Sequence, residues 1–158
     1  SLYEKKEQIF GQFRTGVYPT KKNDISTIIK SLKNGNCFVT NAPLLNMTFH
    51  SDSSIYAMGS VVNVDNGILN ISIISTPEFG KIKKIVIKKG VIGEKKEIDY
   101  FSIINPKMYE LNKSIEIYAD SKCYYRCEVE LEFLGGNKKF ALTNPIWLFP
   151  NIMEDVLN

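Results

Sequence analysis

The sequence predicts a mainly β protein, an antiparallel β-sandwich of seven to eight short strands that is preceded by a short helical N-terminal segment. Two observations predict the sheets: from Leu44 onward apolar residues recur every second position, and turn-forming residues separate the runs at roughly 10-residue spacing. A third predicts a helix, because Ile25, Ile28, Ile29 and Leu32 follow a period of 3.6 residues. Short, numerous strands of this kind favour an immunoglobulin-like architecture, here without the antibody disulfide.

The N-terminal residues predict helices and a turn. Residues 2–13 have a partly amphipathic helical pattern that breaks near Gly11, and residues 14–23 are typical of a turn. A helix follows over 24–34, with Asn23 or Asp24 as its N-cap and Gly35 as the left-handed residue that ends it. We therefore predict two units: a helical segment over 1–35, left over from a preceding barrel domain and without a core of its own, and an immunoglobulin-like β-sandwich domain over 36–158.

The strands can be placed in order from Cys37. The first two cover residues 37–40 and the alternation that starts at Leu44, and a hairpin is predicted around the turn at 65–67, between Val62 and Leu69. Further strands are predicted at 82–88, 96–103, 114–119, 123–133 and 139–148. The longest alternation, 123–133, puts Cys123, Tyr125, Cys127, Val129, Leu131 and Phe133 on one face, and the residues 135–137 turn the chain back.

Composition excludes several classes of function. A net charge of +3 is too small to argue for nucleic acid or a membrane surface, and no apolar run approaches the roughly 20 residues that span a bilayer. The first residues do not have the pattern of a signal peptide, and we expect the chain to be a piece of a longer protein. The three cysteines predict reduced core residues. The compartment stays open, with the cytoplasm favoured.

Most side chains with catalytic potential have a simpler structural explanation. His50 is the sole histidine and falls on the polar face of a strand, so neither a nucleophile–base pair nor a zinc site is predicted. Glu128, Glu130 and Glu132 share one face of a strand, which is typical of a solvated ladder paired with lysines rather than of two opposed catalytic carboxyls. Two turns, 52–54 and 65–67, offer oxygen ligands for calcium, but turn formation explains both.

The basic residues are concentrated in one strand. They favour a water-facing side and a charged sheet edge rather than nucleic-acid binding, because no aromatic residue is interleaved. The residues concerned are Lys81, Lys83, Lys84, Lys88 and Lys89, with Lys95 and Lys96 beyond.

Three segments together resemble a known family. They are Arg14-Thr15-Gly16-Val17-Tyr18, the stretch from Gly35 through Phe38-Val39-Thr40 to Pro43, and Tyr125-Arg126-Cys127-Glu128 followed by Ala141-Leu142-Thr143-Asn144-Pro145-Ile146. In their order and spacing they resemble the end of the barrel and the C-terminal β-domain of PHP-type metallohydrolases, the polymerase and histidinol phosphatase family.

The resemblance implies what the parent enzyme does and what this chain lacks. Such enzymes hydrolyse phosphoesters with divalent metals (Zn, Mn or Fe), which His, Asp and Glu hold at the mouth of a barrel. The His-x-His and Asp-x-His elements are absent here, so we assign no catalytic residue, no metal ligand and no cofactor to the chain itself. By the resemblance, Arg14 lies near the barrel rim and is a substrate-proximal candidate.

We therefore expect a non-catalytic accessory domain that supports the barrel or mediates association. Its partner would be the preceding barrel of the same chain, with a homo-oligomer left open and neither nucleic acid nor membrane expected. The alternative is a free-standing sandwich that binds carbohydrate or a protein partner. That alternative needs open aromatic rings, for which Tyr118, Tyr124 and Trp147 are the candidates.

Overall fold

The computed structural model describes residues 12–19, 24–132, 135 and 138–150. These residues form one helix, α1 (Ile25–Lys33), and twelve strands in two sheets. The strands are β1 (Arg14–Val17), β2 (Cys37–Thr40), β3 (Leu44–Ser51), β4 (Ser54–Ala57), β5 (Val61–Val62), β6 (Asn66–Ile74), β7 (Ile82–Val91), β8 (Ile98–Ile104), β9 (Glu110–Tyr118), β10 (Cys123–Leu131), β11 (Phe140–Thr143) and β12 (Ile146–Leu148).

The two sheets confirm the predicted sandwich. The large sheet has eight strands, with β7 on one side of β10 and both β11 and β12 on the other, and the small sheet has the order β4-β3-β6-β9. The chain passes from β3 and β6 to β7 and β8, returns to β9, and ends in the large sheet. This alternation follows the immunoglobulin plan, except that β8 pairs with β7 rather than with β9. The described residues form twelve strands, more than the seven to eight predicted. The pairing is antiparallel as predicted except between β5 and β12, which are parallel.

The core lies between the sheets, as the period-two pattern predicts. On β10, Cys123, Tyr125, Cys127, Val129 and Leu131 are buried, and the residues between them are half-buried on the outer face. The small sheet contributes its own alternating residues. They include Leu45, Met47, Phe49, Leu69, Ile71, Ile73 and Ile117.

The predicted hairpin at 62–73 is wrong. Its first half, β5, joins the large sheet beside β12, whereas β6 lies in the small sheet between β3 and β9. Asn66 and Gly67 belong to β6 rather than to a turn, and a side chain at Gly67 would overlap the Phe49 ring and the His50 carbonyl. Gly67 is therefore explained by close packing. The tight connection in this region is Asp52-Ser53 between β3 and β4, where Asp52 has a positive φ of 51°.

Two further predictions need correction. Residues 14–17, predicted as part of a turn, form β1 and pair with β2, because Gly16 leaves room for the Phe38 ring. The lysine-rich strand β7 is not a sheet edge, since β10 and β8 pair with its two sides. Several predictions fall partly outside the described residues. They concern the predicted helix over 2–13 up to Gly11, the candidate cap Asn23, residue 133 at the end of the strand predicted at 123–133, and residues 136–137 of the predicted turn. The division at 35/36 stays a prediction.

Candidate functional site: the apolar face of helix α1

The ends of α1 form as the sequence predicts. The Asp24 carboxylate accepts a hydrogen bond from the Thr27 backbone N–H at 2.8 Å, which lowers the pKa of Asp24. Lys30 and Lys33 lie in the last turn, where the helix dipole favours positive charge. Gly35 follows with a φ of 72°, the left-handed conformation that ends a helix without strain.

The apolar stripe of α1 faces away from the sandwich. Ile25, Ile28, Ile29 and Leu32, which we call the α1 stripe, are 78%, 37%, 46% and 45% exposed. A surface helix normally buries this face against the core. In α1 the buried residue is instead Ser31, at 3% exposure, which lies about 110° around the helix from the centre of the stripe at 3.6 residues per turn. The stripe is thus an apolar surface that the sandwich leaves uncovered.

Close contacts hold the C-terminal end of α1 on the sandwich. The Asn144 side-chain amide donates to the Gly35 carbonyl at 3.0 Å and lies 3.2 Å from the Cys37 sulfur. The Gly59 backbone packs on Gly35 so closely that a Cβ on Gly59 would overlap the Asn34 carbonyl oxygen. This junction joins two of the segments that carry the family resemblance, although more than 100 residues separate them.

A second set of hydrogen bonds holds the inner side of α1. Ser31 Oγ and Asn36 Nδ2 both donate to the Tyr18 carbonyl, at 3.3 and 2.5 Å. The Asn36 backbone N–H donates to the Ser31 carbonyl at 2.8 Å. The Tyr18 ring in turn stacks on Phe38, with ring centroids 5.5 Å apart. The orientation of the α1 stripe is therefore fixed by polar and backbone contacts rather than by burial of the stripe.

Arg14 lies on β1 opposite Thr40 and is exposed. It lines a surface groove of about 430 Å³ whose lining also includes Lys139 and Phe79. The two charged residues in this lining are both positive, so the groove suits an anionic group. The described residues around it include no histidine or carboxylate that could act as a base.

The other titratable candidates lie apart from one another and from this groove. His50 lies on the outer face of the small sheet, with Nε2 3.1 Å from Thr48 Oγ1, as its strand position predicts. On the opposite sheet, Glu130 pairs with Lys83 at 2.9 Å and Glu128 with Arg126 at 2.7 Å. These ion pairs agree with the predicted solvated ladder.

One network on the outer face of the large sheet escapes sequence reasoning. Glu97 accepts two hydrogen bonds from the Arg126 guanidinium, at 2.7 and 2.5 Å, and one from the Tyr124 hydroxyl at 2.9 Å. Because the ionised carboxylate is the better acceptor, these bonds lower the pKa of Glu97 and raise that of Arg126. Glu97 falls within the strand predicted at 96–103, but it lies in the connection just before β8, and nothing in the local sequence indicates these partners. All the charges here are paired, so the network indicates structure rather than catalysis.

Two of the three aromatic candidates are engaged within the protein. The Tyr124 ring covers Gly90 and lies 4.7 Å from the Trp147 ring, measured between centroids. Tyr118 is different, because 69% of it is exposed at the end of β9.

The structure brings the two calcium candidates together but gives them few ligands. Asp52 and Asp65 line one small surface pocket of about 200 Å³. Among the described residues, no group of three or more His, Cys, Asp or Glu side chains is placed to hold a metal ion. All three cysteines are free, with Cys123 and Cys127 buried and Cys37 half-buried, and burial raises the pKa of the first two thiols.

Comparison of the chain with models of known protein families, with curated proteins and with solved structures finds no match in any of the three. Within the part of the chain that the structure describes, the helix is too short to reach across a bilayer.

Proposed function

We propose that this chain is a non-catalytic accessory domain of a PHP-type metal-dependent phosphoesterase, and that it packs against the catalytic barrel of the same polypeptide through the α1 stripe. The observation that carries the proposal is the uncovered stripe on a helix whose orientation is fixed. An apolar face of this kind marks an interaction surface rather than a solvated one. The resemblance of the flanking segments to the end of a PHP barrel supplies the identity of the partner.

The size of the stripe favours a partner in the same chain. Full burial of one such side chain contributes roughly 1.5–3 kcal/mol, so covering four that are about half exposed contributes roughly 3–6 kcal/mol. Association of separate molecules costs an estimated 4–15 kcal/mol in lost freedom. A covalently linked domain avoids most of that cost, because the contact is intramolecular. Lys30 and Lys33, in the last turn of α1, favour acidic groups on the partner surface near that end of the helix.

The decisive experiment removes the stripe in the full-length protein. The variant is Ile25→Ser, Ile29→Ser and Leu32→Ser. The control replaces three isoleucines of comparable total exposure elsewhere, Ile55, Ile98 and Ile104, with serine. We expect the stripe variant, and not the control, to separate one cooperative unfolding transition into two and to open the domain junction to protease. Equal behaviour of the two variants would contradict the proposal.

Two further observations bear on the identity of the parent. The reading frame should encode, N-terminal to this sequence, a domain that contains His-x-His and Asp-x-His. The present chain should not hydrolyse p-nitrophenyl phosphate, with or without added manganese. Metal-dependent hydrolysis by the purified chain would refute the non-catalytic assignment.

The groove beside Arg14 is proposed to contact the substrate of the parent enzyme. We infer that the groove faces the barrel mouth and that the Arg14 guanidinium helps to hold the anionic group of the substrate, with Lys139 beside it. In the full-length enzyme, Arg14→Ala should raise KM with little change in kcat, and Lys138→Ala, a nearby exposed lysine, serves as the control. Unchanged kinetics in Arg14→Ala would remove Arg14 from the site.

A further inference from the structure

We propose that Asn144 is the positioning residue of the docking surface: its side-chain amide joins the end of α1 to the large sheet and so sets the direction of the α1 stripe. Its role in docking rests on the proposed function. The structural part of the inference concerns this chain alone and is tested on it.

A bulge in the large sheet brings Asn144 to the helix. Leu142 lies opposite Glu128 and Ile146 opposite Tyr125, so four residues along one strand correspond to three along β10. One extra residue is thus inserted between β11 and β12, which bends the strand locally. At this point the Cys127 N–H donates to Thr143 Oγ1, at 2.8 Å, instead of to a backbone carbonyl. The bulge places Asn144 outside the ladder and beside Gly35.

The contacts of Asn144 require a donor. Its side-chain nitrogen carries two hydrogens, and the two groups in reach are the Gly35 carbonyl and the Cys37 sulfur, both acceptors in this arrangement. The Asn144 backbone N–H also points to the Cys37 carbonyl, at 3.3 Å, and the next residue, Pro145, accepts from the Gly59 N–H at 2.8 Å. An aspartate at 144 would keep the shape of the side chain but would present a carboxylate to the Gly35 carbonyl, which can only accept, with the Cys37 thiol as no more than a weak donor.

The test is Asn144→Asp, with Asn112→Asp as the matched control, since Asn112 is exposed on β9 in the small sheet. We expect amide exchange in α1 to accelerate about tenfold in the first variant, the factor that corresponds to one hydrogen bond worth about 1.4 kcal/mol.

Acid provides a readout that a purely steric role would not give. A protonated Asp carries an O–H donor, so exchange in α1 of Asn144→Asp, taken relative to the unmodified chain at each pH, should return toward the normal rate as the pH falls through the carboxyl pKa. The Gly35 carbonyl, which cannot donate to a carboxylate, places that pKa above the ordinary value of about 3.9. Asn144→Ala, which has no such donor at any pH, should stay fast.

Three results would overturn the inference: exchange in α1 that matches the Asn112→Asp control, no recovery in acid, or faster exchange throughout β6 as well as α1. The last would make Asn144 a fold-wide element rather than a positioning residue. None of these measurements involves the barrel, so they can fail while the stripe experiment succeeds, and the reverse. In the full-length protein, Asn144→Asp should also weaken the domain junction although the stripe itself is unchanged.

Discussion

Replacing Gly59 with alanine should destabilise the protein because the contact between Gly59 and the end of α1 leaves no room for a side chain. Gly59 has a φ of 84°, and a Cβ there would overlap the Asn34 carbonyl oxygen and lie 2.7 Å from the Gly35 carbonyl carbon. The left-handed conformation costs an L-residue about 1–2 kcal/mol, from which the lower entropy of the unfolded chain subtracts about 0.4–1 kcal/mol. Relief of the overlap adds about 1–3 kcal/mol. The expected loss in the free energy of unfolding is therefore about 2–4 kcal/mol.

Gly93→Ala separates the two causes. Gly93 has a similar φ of 97°, but a Cβ there would meet nothing within 4 Å, so only the conformational cost applies, about 1 kcal/mol. Urea denaturation measures the free energy of unfolding of both variants. Gly59→Ala should lose about 1–3 kcal/mol more than Gly93→Ala. Equal losses would mean that α1 moves away from Gly59 at no cost, and the account of how the helix is fixed would be refuted.

Three other outcomes are expected. Tyr125→Phe should raise the free energy of unfolding by up to about 1 kcal/mol in urea denaturation, because the buried Tyr125 hydroxyl has, among the described residues, only the Cys123 thiol, a weak hydrogen-bonding group, beside it; a loss of stability would contradict this. Glu97→Gln should flatten the dependence of stability on pH, since bonding to Arg126 lowers the folded-state pKa of Glu97. The stabilisation is present above the ordinary carboxyl pKa of about 4.3 and is lost as the pH falls through the lowered value. Between pH 6 and pH 3 the urea midpoint should therefore fall less in Glu97→Gln than in the unmodified chain. If the chain is instead a carbohydrate-binding module, a glycan array should show binding that is lost in Tyr118→Ala or Trp147→Ala; we expect no binding.

The sequence predicts elements whose information is local. The boundaries of α1 follow from Asp24 and Gly35, and the inward face of β10 follows from strict alternation. The hairpin prediction failed because Asn-Gly is a common turn signal, whereas here a glycine is needed at position 67 for close packing against Phe49 and His50. Partners distant in sequence were out of reach: nothing near Glu97 indicates Arg126, and nothing near Gly35 indicates Asn144. The period of α1 predicted an apolar face but not the direction in which the fold would point it.

The direction of that face follows from how α1 is held. A nine-residue helix is too short to be stable by itself in water, and an exposed stripe adds little burial to compensate. The stabilising contacts are instead polar and backbone ones, made by Ser31, Asn36, Gly59 and Asn144. Such contacts fix geometry more strictly than apolar packing does, because hydrogen bonds are directional whereas the hydrophobic effect is not. Holding α1 in this way leaves its apolar area exposed in a fixed orientation, which the proposed contact with a neighbouring domain would require.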